Sequence, residues 1–193
     1  SGVVLSPRVW TMDSWGEDVI ASVGGGEDTI YYFDTSLFKA TPASTRGTTL
    51  AYYVTNTLGE SAAAIPTKVG AILVSTPDRH LTVFGCNPEL SSTYDRTIVR
   101  WCSQESLYDW STAMTNTAGS QKLGTGTNIE SAAKGRGQII LWTDVDLYSM
   151  QFTGPPFTFS FQQLGEASGT ISKNSPAMIE GGAFWMGINN FYA

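Results

Sequence analysis

Charge is scarce in this chain. Only 15% of its 193 residues are Asp, Glu, Lys or Arg, too few for a disordered or coiled-coil polypeptide. What charge there is leans acidic, 17 acids against 11 bases for a formal net of −6, and no cluster of Lys and Arg exists to grip a phosphate backbone by counterion release. A wall past which DNA slides without sticking is compatible with that balance. Histidine is reduced to His80, which excludes a His-based metal cluster and argues against a His-dependent triad. Cysteine is reduced to Cys86 and Cys102, whose spacing suits neither a metal site nor a redox pair. They flank a loop, so a disulfide across a hairpin is one reading, and two separate, inert thiols are the expected one. No apolar run approaches the length of a membrane span, the first residues do not read as a basic-then-apolar leader, and no Asn-x-Ser/Thr sequon occurs. Ser1-Gly2-Val3 reads as a processed, tagged or truncated start.

What the chain has in plenty is aromatic residues, at 12%, and glycine, at 20 residues, the mixture that short strands and tight turns require. These fall into a repeat. Ile129–Ala133, a glycine turn, Gln138–Trp142, an Asp-rich turn and Leu147–Met150 read as strand, turn, strand, turn, strand. The pattern returns from Ala177 and from Val19, and a degenerate copy from Val69 carries a long insertion before pairing resumes at Ile98–Trp101. In each regular copy two residues stand six apart, Tyr32 to Phe38, Trp142 to Tyr148 and Met186 to Tyr192, which places both on one face if the turn preserves parity. Units starting near 19, 69, 129 and 177 are separated by 50, 60 and 48 residues, close to the about 50 residues of a kelch-like propeller blade. Leu50–Thr55 and Phe157–Phe161 read as outer strands, the latter alternating ring and hydroxyl. The expected fold is therefore all-β, a β-propeller-like array of antiparallel four-stranded meanders in one region spanning 1–193, with a β-sandwich as the alternative. Helix is nearly absent by pattern, since Ser61–Ala64 is short and Pro66 follows.

The segments 8–21 (Arg8 to Ala21), 100–110 (Arg100 to Trp110) and Ala118-Gly119 resemble the tail nozzle, or stabilisation, proteins of short-tailed bacteriophages. So do 140–144 with Leu147-Tyr148, 154–157, 184–187 and 190–192, an ordered set covering most of residues 8–192. The resemblance implies a β-propeller-containing subunit assembled as a hexameric ring below the portal and adaptor, with tail-fibre proteins as further partners. It implies a place in the virion after assembly in the bacterial cytoplasm, and DNA that passes without specific binding. Members of that family are usually several times longer, which suggests a fragment or a reduced relative.

No catalytic, cofactor-binding or metal residue is expected. Ser103-x-Glu105-x-Leu107-x-x-Trp110 echoes the sialidase Asp-box with Glu for Asp and Leu for Gly, and reads as a structural turn. His80, after Asp78-Arg79, reads as a polar residue at a strand edge. Asp13, Glu17 and Asp18, or Asp144 and Asp146, offer paired carboxylates of the kind glycoside hydrolysis uses. Capping of turn N–H groups already explains the second pair. Gly24–Gly26 and Gly135-Arg136-Gly137 lack phosphate-loop spacing. Trp142, Trp185 and Tyr148 read as core rings packing adjacent blades. A carbohydrate-binding or sialidase-like propeller is the alternative function, and it needs several of Arg8, Arg46, Arg79, Arg96, Arg100 and Arg136 to converge on one pocket. The loops 86–97 and 111–128 are expected to supply contacts between subunits. If the chain were a closed four-bladed ring, Val3–Leu5 or Val9–Met12 would pair with the last strand near Phe191-Tyr192. Open ends are the favoured expectation.

Overall fold

Thr11, Asp13 and Trp15 alternate with the exposed Met12 and Ser14, and that period of two makes the first strand. The structure is a computed structural model that describes residues 8–26, 28–36 and 47–193. Sheet 1 is the antiparallel meander β1 (Thr11–Trp15), β2 (Asp18–Ser22), β3 (Ile30–Phe33) and β4 (Gly47–Thr49). Sheet 2 is β5 (Val69–Val74), β6 (Leu81–Cys86), β7 (Asp95–Trp101) and β8 (Gly119–Lys122). Sheet 3 is β9 (Ile129–Gly135), β10 (Gln138–Thr143), β11 (Leu147–Gly154) and β12 (Thr158–Gly165). Sheet 4 has three strands, β13 (Ala177–Ile179), β14 (Gly182–Met186) and β15 (Phe191–Tyr192). In every sheet the spatial order is the chain order, so each strand pairs only with its sequence neighbours.

The sheets stack face to face around three apolar layers. Ile20, Ile30, Tyr32, Val74, Leu81 and Val83 fill the first, between sheets 1 and 2. Ala71, Phe84, Trp101, Leu141, Tyr148 and Phe159 fill the second, between sheets 2 and 3. Ile140, Trp142 and Trp185 fill the third, between sheets 3 and 4, with the two indoles edge to face at 5.8 Å. Sheets 2 and 3 are thus apolar on both faces because both faces are covered. The first strands of the sheets also meet. Ile72 N–H donates to Thr11 Oγ1 (3.1 Å) and Val74 N–H to Asp13 Oδ2 (2.7 Å), while Lys134 on β9 reaches the same carboxylate at 2.5 Å. Side chains of β1 therefore satisfy N–H groups of β5 in place of a ladder.

Four antiparallel meanders stand as the repeat predicts, and among the described residues they do not close into a propeller. Sheet 4 ends at β15, and among the described residues no strand of sheet 1 joins it. Val9–Met12 instead leads into β1, which pairs β2 from Thr11 opposite Ser22 to Trp15 opposite Asp18. Val3–Leu5 and Phe38 lie outside the described residues.

Other expectations need correction. The first unit begins one strand earlier than Val19, at β1, so its Val19 strand corresponds to the second strand of the other sheets. The six-residue parity rule fails as well. Paired residues of a hairpin share a face, and the pairs here are Leu141 with Tyr148, Trp142 with Leu147, Trp185 with Tyr192 and Met186 with Phe191. Trp142 and Tyr148 therefore point into different layers. Leu50–Thr55 is not a strand but a helical turn, α1 (Leu50–Tyr53), continued as a π-helical turn over Val54–Leu58. Thr49 caps it by accepting from Tyr52 N–H, the buried Leu50 and Val54 stand four apart on one face, and Gly59 closes it in the left-handed region. The outer strand of sheet 2 is β8, inside the 111–128 segment expected to be loop. Phe157 lies in a turn, and β12 starts at Thr158.

One close approach ties the β6–β7 insertion to the core. A Cβ on Gly26 would meet the Tyr94 ring at 2.3 Å, and one on Gly70 or Gly85 would meet its hydroxyl at 2.6 or 2.7 Å. Three glycines thus form a slot for one tyrosine. Gly25 and Gly26 both have positive φ, but a Cβ on Gly25 meets nothing within 4 Å. Gly25→Ala is expected to cost about 1–2 kcal/mol of backbone strain, and Gly26→Ala about 1–3 kcal/mol more by displacing Tyr94. Urea denaturation of the two variants measures the difference.

Candidate functional site

The histidine was misjudged from sequence. His80 opens the second strand region of sheet 2 and is fully buried rather than at an edge. Its Nδ1 lies 2.7 Å from Asp78 Oδ2 and its Nε2 3.1 Å from Thr117 Oγ1, with Phe159 packed edge-on at 5.1 Å. Carboxylate, imidazole and hydroxyl in that order is the arrangement of a hydrolytic triad. Each member also bonds a group outside that chain of three. Ser75 Oγ donates to Asp78, His80 N–H donates to Ser75 Oγ, and Thr117 Oγ1 already accepts Gln104 N–H at 2.8 Å. The cavity beside Asp78 measures about 110 Å³ and is walled by Phe152 and Phe159, below the roughly 300 Å³ at which ligand pockets begin. The network fastens the β5–β6 turn to the strand-linking segment before β8. Its sequence signal was Ser75, Asp78 and His80 crowded into one turn ahead of an apolar strand.

The carboxylates proposed as pairs do not pair. Asp13 serves β5 and Lys134, and Asp18 accepts from the hydroxyl of Tyr32 and from Thr35 N–H and Oγ1. Glu17 is exposed in the β1–β2 turn. Asp144 caps Thr127 and Asn128 N–H, and Asp146 caps Ala167 N–H, so both are caps as read, though for segments outside their own turn. In the Asp-box echo, Ser103 N–H donates to Asp109 O, Trp110 is buried with its indole N–H on Leu107 O, and Glu105 faces outward to Arg79 at 2.8 Å. That is a structural turn between β7 and β8.

Burial alone would raise the pKa values of Asp18, Asp78, Asp95 and Asp144, but the hydrogen bonds and partners that each gains on folding hold all four below the ordinary 3.8. Their contribution is complete above the unfolded value and drains as pH falls through the lower folded ones. Stability is therefore expected to hold down to about pH 4 and fall below it. Asp78→Asn should flatten that fall, as read by urea midpoints at a series of pH values.

The arginines disperse. Arg8 lies 3.7 Å from Asp28, Arg79 pairs Glu105, Arg96 borders a cavity of about 420 Å³ beside Lys173, and Arg136 borders a groove of about 570 Å³ between sheets 3 and 4. Arg46 lies outside the described residues. Arg100 is buried under sheet 2 and donates to the carbonyls of Ala64, Asn87 and Trp110. In the 420 Å³ cavity Lys173 Nζ donates to Gly70 O at 2.7 Å, and burial lowers its pKa. Trp142 and Trp185 border the groove, but their rings are buried in the third layer, as expected for packing aromatics.

The thiols are free and distant. Cys86 ends β6, while Cys102 lies beside Leu81 at its start, accepting Leu81 N–H, so a whole strand separates them. Burial pushes both thiols up to about 12, which leaves them unreactive. Among the described residues no group of three or more His, Cys, Asp or Glu is placed to hold a metal ion, and no helix is long and apolar enough to cross a membrane.

What remains is surface. Sheet 4 alternates strictly. Met178, Ala183, Trp185 and Tyr192 face sheet 3, so by pairing Ile179, Phe184, Met186 and Phe191 share the other face. That face is bare, with Phe191 83% exposed and the neighbouring Ile188 75%. At the opposite end of the stack the outward face of sheet 1 carries Met12, Val19, Ala21, Tyr31 and Phe33 in cross-strand register. Met12 is 65% exposed there. No protein-family model matches the chain, and no curated protein matches it.

Proposed function

We propose that this chain is a structural subunit of a short-tailed bacteriophage tail nozzle, contributing a stiff β-meander wall to the DNA-ejection conduit and to the assembly interfaces of the tail. The observation that carries the reading is the stack itself: four meanders packed face to face through three apolar layers, acidic overall, with the outward face of sheet 4 exposed. Its polar clusters are spent on backbone groups, as a scaffold requires. The segments that resemble tail nozzle proteins fall in all four sheets, from the β1–β2 hairpin through β7, β10 and β14. In this reading the chain works in the virion as part of a homo-oligomeric ring, with portal, adaptor and tail-fibre proteins as neighbours and no enzymatic step. DNA passes an acidic surface without specific binding.

Mass spectrometry of purified short-tailed virions from a host carrying the gene tests this. Peptides of this chain at a copy number near that of the other ring proteins are expected, and their absence from intact particles would sink the reading. Turnover of a sialoside by the purified chain, lost in Glu105→Gln or Asp144→Asn, would favour the carbohydrate alternative instead.

A further inference from the structure

We infer that the groove between sheets 3 and 4 binds a small, uncharged apolar molecule that carries a hydrogen-bond acceptor, an aromatic ketone being the type. The Trp142 indole N–H is the group that recognises the acceptor. Such a site goes beyond the tail assignment and does not depend on it.

The groove holds about 570 Å³, within the roughly 300–1,000 Å³ that small-molecule sites occupy. All of its lining residues lie in 135–193, a stretch described without a gap. Ile140, Trp142 and Leu147 form the wall on sheet 3, and Met178, Ala183 and Trp185 form the wall on sheet 4. The β9–β10 and β13–β14 turns set the rim, bringing one base, Arg136, and one acid, Glu180. Those charges balance, so the entrance favours neither an anion nor a cation. A charged head drawn between the apolar walls would lose its hydration without gaining an ion partner there. An uncharged molecule is what the walls accept.

The call for an acceptor comes from the indoles. Among the described residues two buried side-chain polar atoms lack a hydrogen-bond partner, Trp142 Nε1 and Ser168 Oγ. Both belong to this part of the molecule. Trp142 lines the groove, and the Ser168 carbonyl accepts the indole N–H of Trp185, whose ring stands 5.8 Å from that of Trp142. One indole of the pair is thus satisfied within the fold and the other is not. Native folds pair nearly all such groups, so an orphan donor in the wall of a groove is one that a ligand acceptor completes. A buried water suits the position less, because it needs about two to four polar partners and the wall residues around Trp142 are apolar. Trp142 is fully buried, so the acceptor reaches its N–H when a wall side chain turns. Met178 suits that motion, being unbranched, half-buried and packed on the same layer.

Fluorescence titration of the purified chain tests this with two probes. One is prodan, a neutral naphthyl ketone whose emission reports polarity and hydrogen bonding; the other is dimethylaminonaphthalene, the same ring system without the carbonyl. Prodan is expected to bind one to one, with emission shifted to the blue of its value in water and tryptophan emission quenched by energy transfer. It should bind about three- to tenfold more tightly than the carbonyl-free probe, the worth of one hydrogen bond. Trp142→Phe removes the donor and keeps a ring, so it should erase that difference and leave the affinity of the carbonyl-free probe largely unchanged. Ala183→Leu fills the groove and should abolish binding of both probes. Phe191→Asp alters only the outward face of sheet 4 and should bind both as the wild type does. Circular dichroism confirms that each variant is folded, and Trp142→Phe carries the test by itself if Ala183→Leu is not. A wild type that does not bind prodan overturns the inference. So does a ketone that gains nothing over the carbonyl-free probe, or one that keeps its full advantage in Trp142→Phe. Binding lost in Phe191→Asp and kept in Ala183→Leu also overturns it, because the probe then sits on the exposed face.

Discussion

Trp142→Ala is expected to lower the unfolding free energy by about 3–5 kcal/mol, the cost of a large core ring replaced by a cavity. Trp142 is fully buried and is the centre of the smallest of the three layers, touching Trp185 edge to face within a cluster that includes Ala133, Leu147 and Met178. Sheet 4 has only three strands and this single covered face, so the loss should fall mainly on its attachment to sheet 3. Limited proteolysis should then cleave near Gly181–Gly182 before the rest of the chain, while urea denaturation reports the total. Trp142→Phe should be far milder. Among the described residues the indole N–H of Trp142 has no hydrogen-bond partner, so phenylalanine removes an unsatisfied buried donor while keeping most of the ring, and the about 1–3 kcal/mol cost of such a donor offsets the lost volume. Equal losses for the two substitutions would contradict this account of the layer.

Arg100→Met is expected to cost about 3 kcal/mol or more, because the buried carbonyls of Asn87 and Trp110 and the part-buried one of Ala64 lose their donors at once and each unsatisfied buried acceptor costs about 1–3 kcal/mol. The guanidinium lies 6.0 Å from the Trp110 ring and bonds to Ala64, Asn87 and Trp110, so it ties the segment before β5, the end of β6 and the turn after β7 into one unit. Burial lowers its pKa, partly offset by Cys86 and Glu89, and among the described residues no carboxylate pairs with it. Arg100→Lys should recover little, since a single ammonium cannot span three carbonyls that the planar fork reaches together. Arg79→Ala is the control. Its exposed bridge to Glu105 is worth at most about 1 kcal/mol. Guanidinium denaturation curves for the three variants separate the cases, and an Arg100→Met loss no larger than that of Arg79→Ala would refute this assignment.

The parts of the fold visible in the sequence are those fixed by neighbours along the chain. β9 to β11 were readable because a glycine turn, an Asp-rich turn and a run of apolar residues specify two hairpins locally. Trp142 and Trp185 were readable as packing rings for the same reason. The first unit was misread because its β2–β3 connection, with Gly24–Gly26, imitates the hairpin that begins the other copies, which hid β1. The helical turn after Thr49 was misread because Leu50-Ala51-Tyr52-Tyr53-Val54-Thr55 suits a strand by propensity, whereas burial of Leu50 and Val54 on one side selects the helical period.

The sequence by itself determined four antiparallel meanders in chain order and buried aromatic rings, because turn chemistry and a two-residue alternation act over a few residues. The tertiary structure alone decided which face of each sheet meets which layer, since one residue of pairing register reverses every side chain. It alone turned His80 from a strand-edge residue into a buried link between Asp78 and Thr117, positions 2 and 37 residues away. It alone placed Arg100 over carbonyls from three separate segments and left the outer face of sheet 4 exposed. Those outcomes depend on contacts between residues far apart in the chain, and no local period encodes which distant surface will arrive to cover a face.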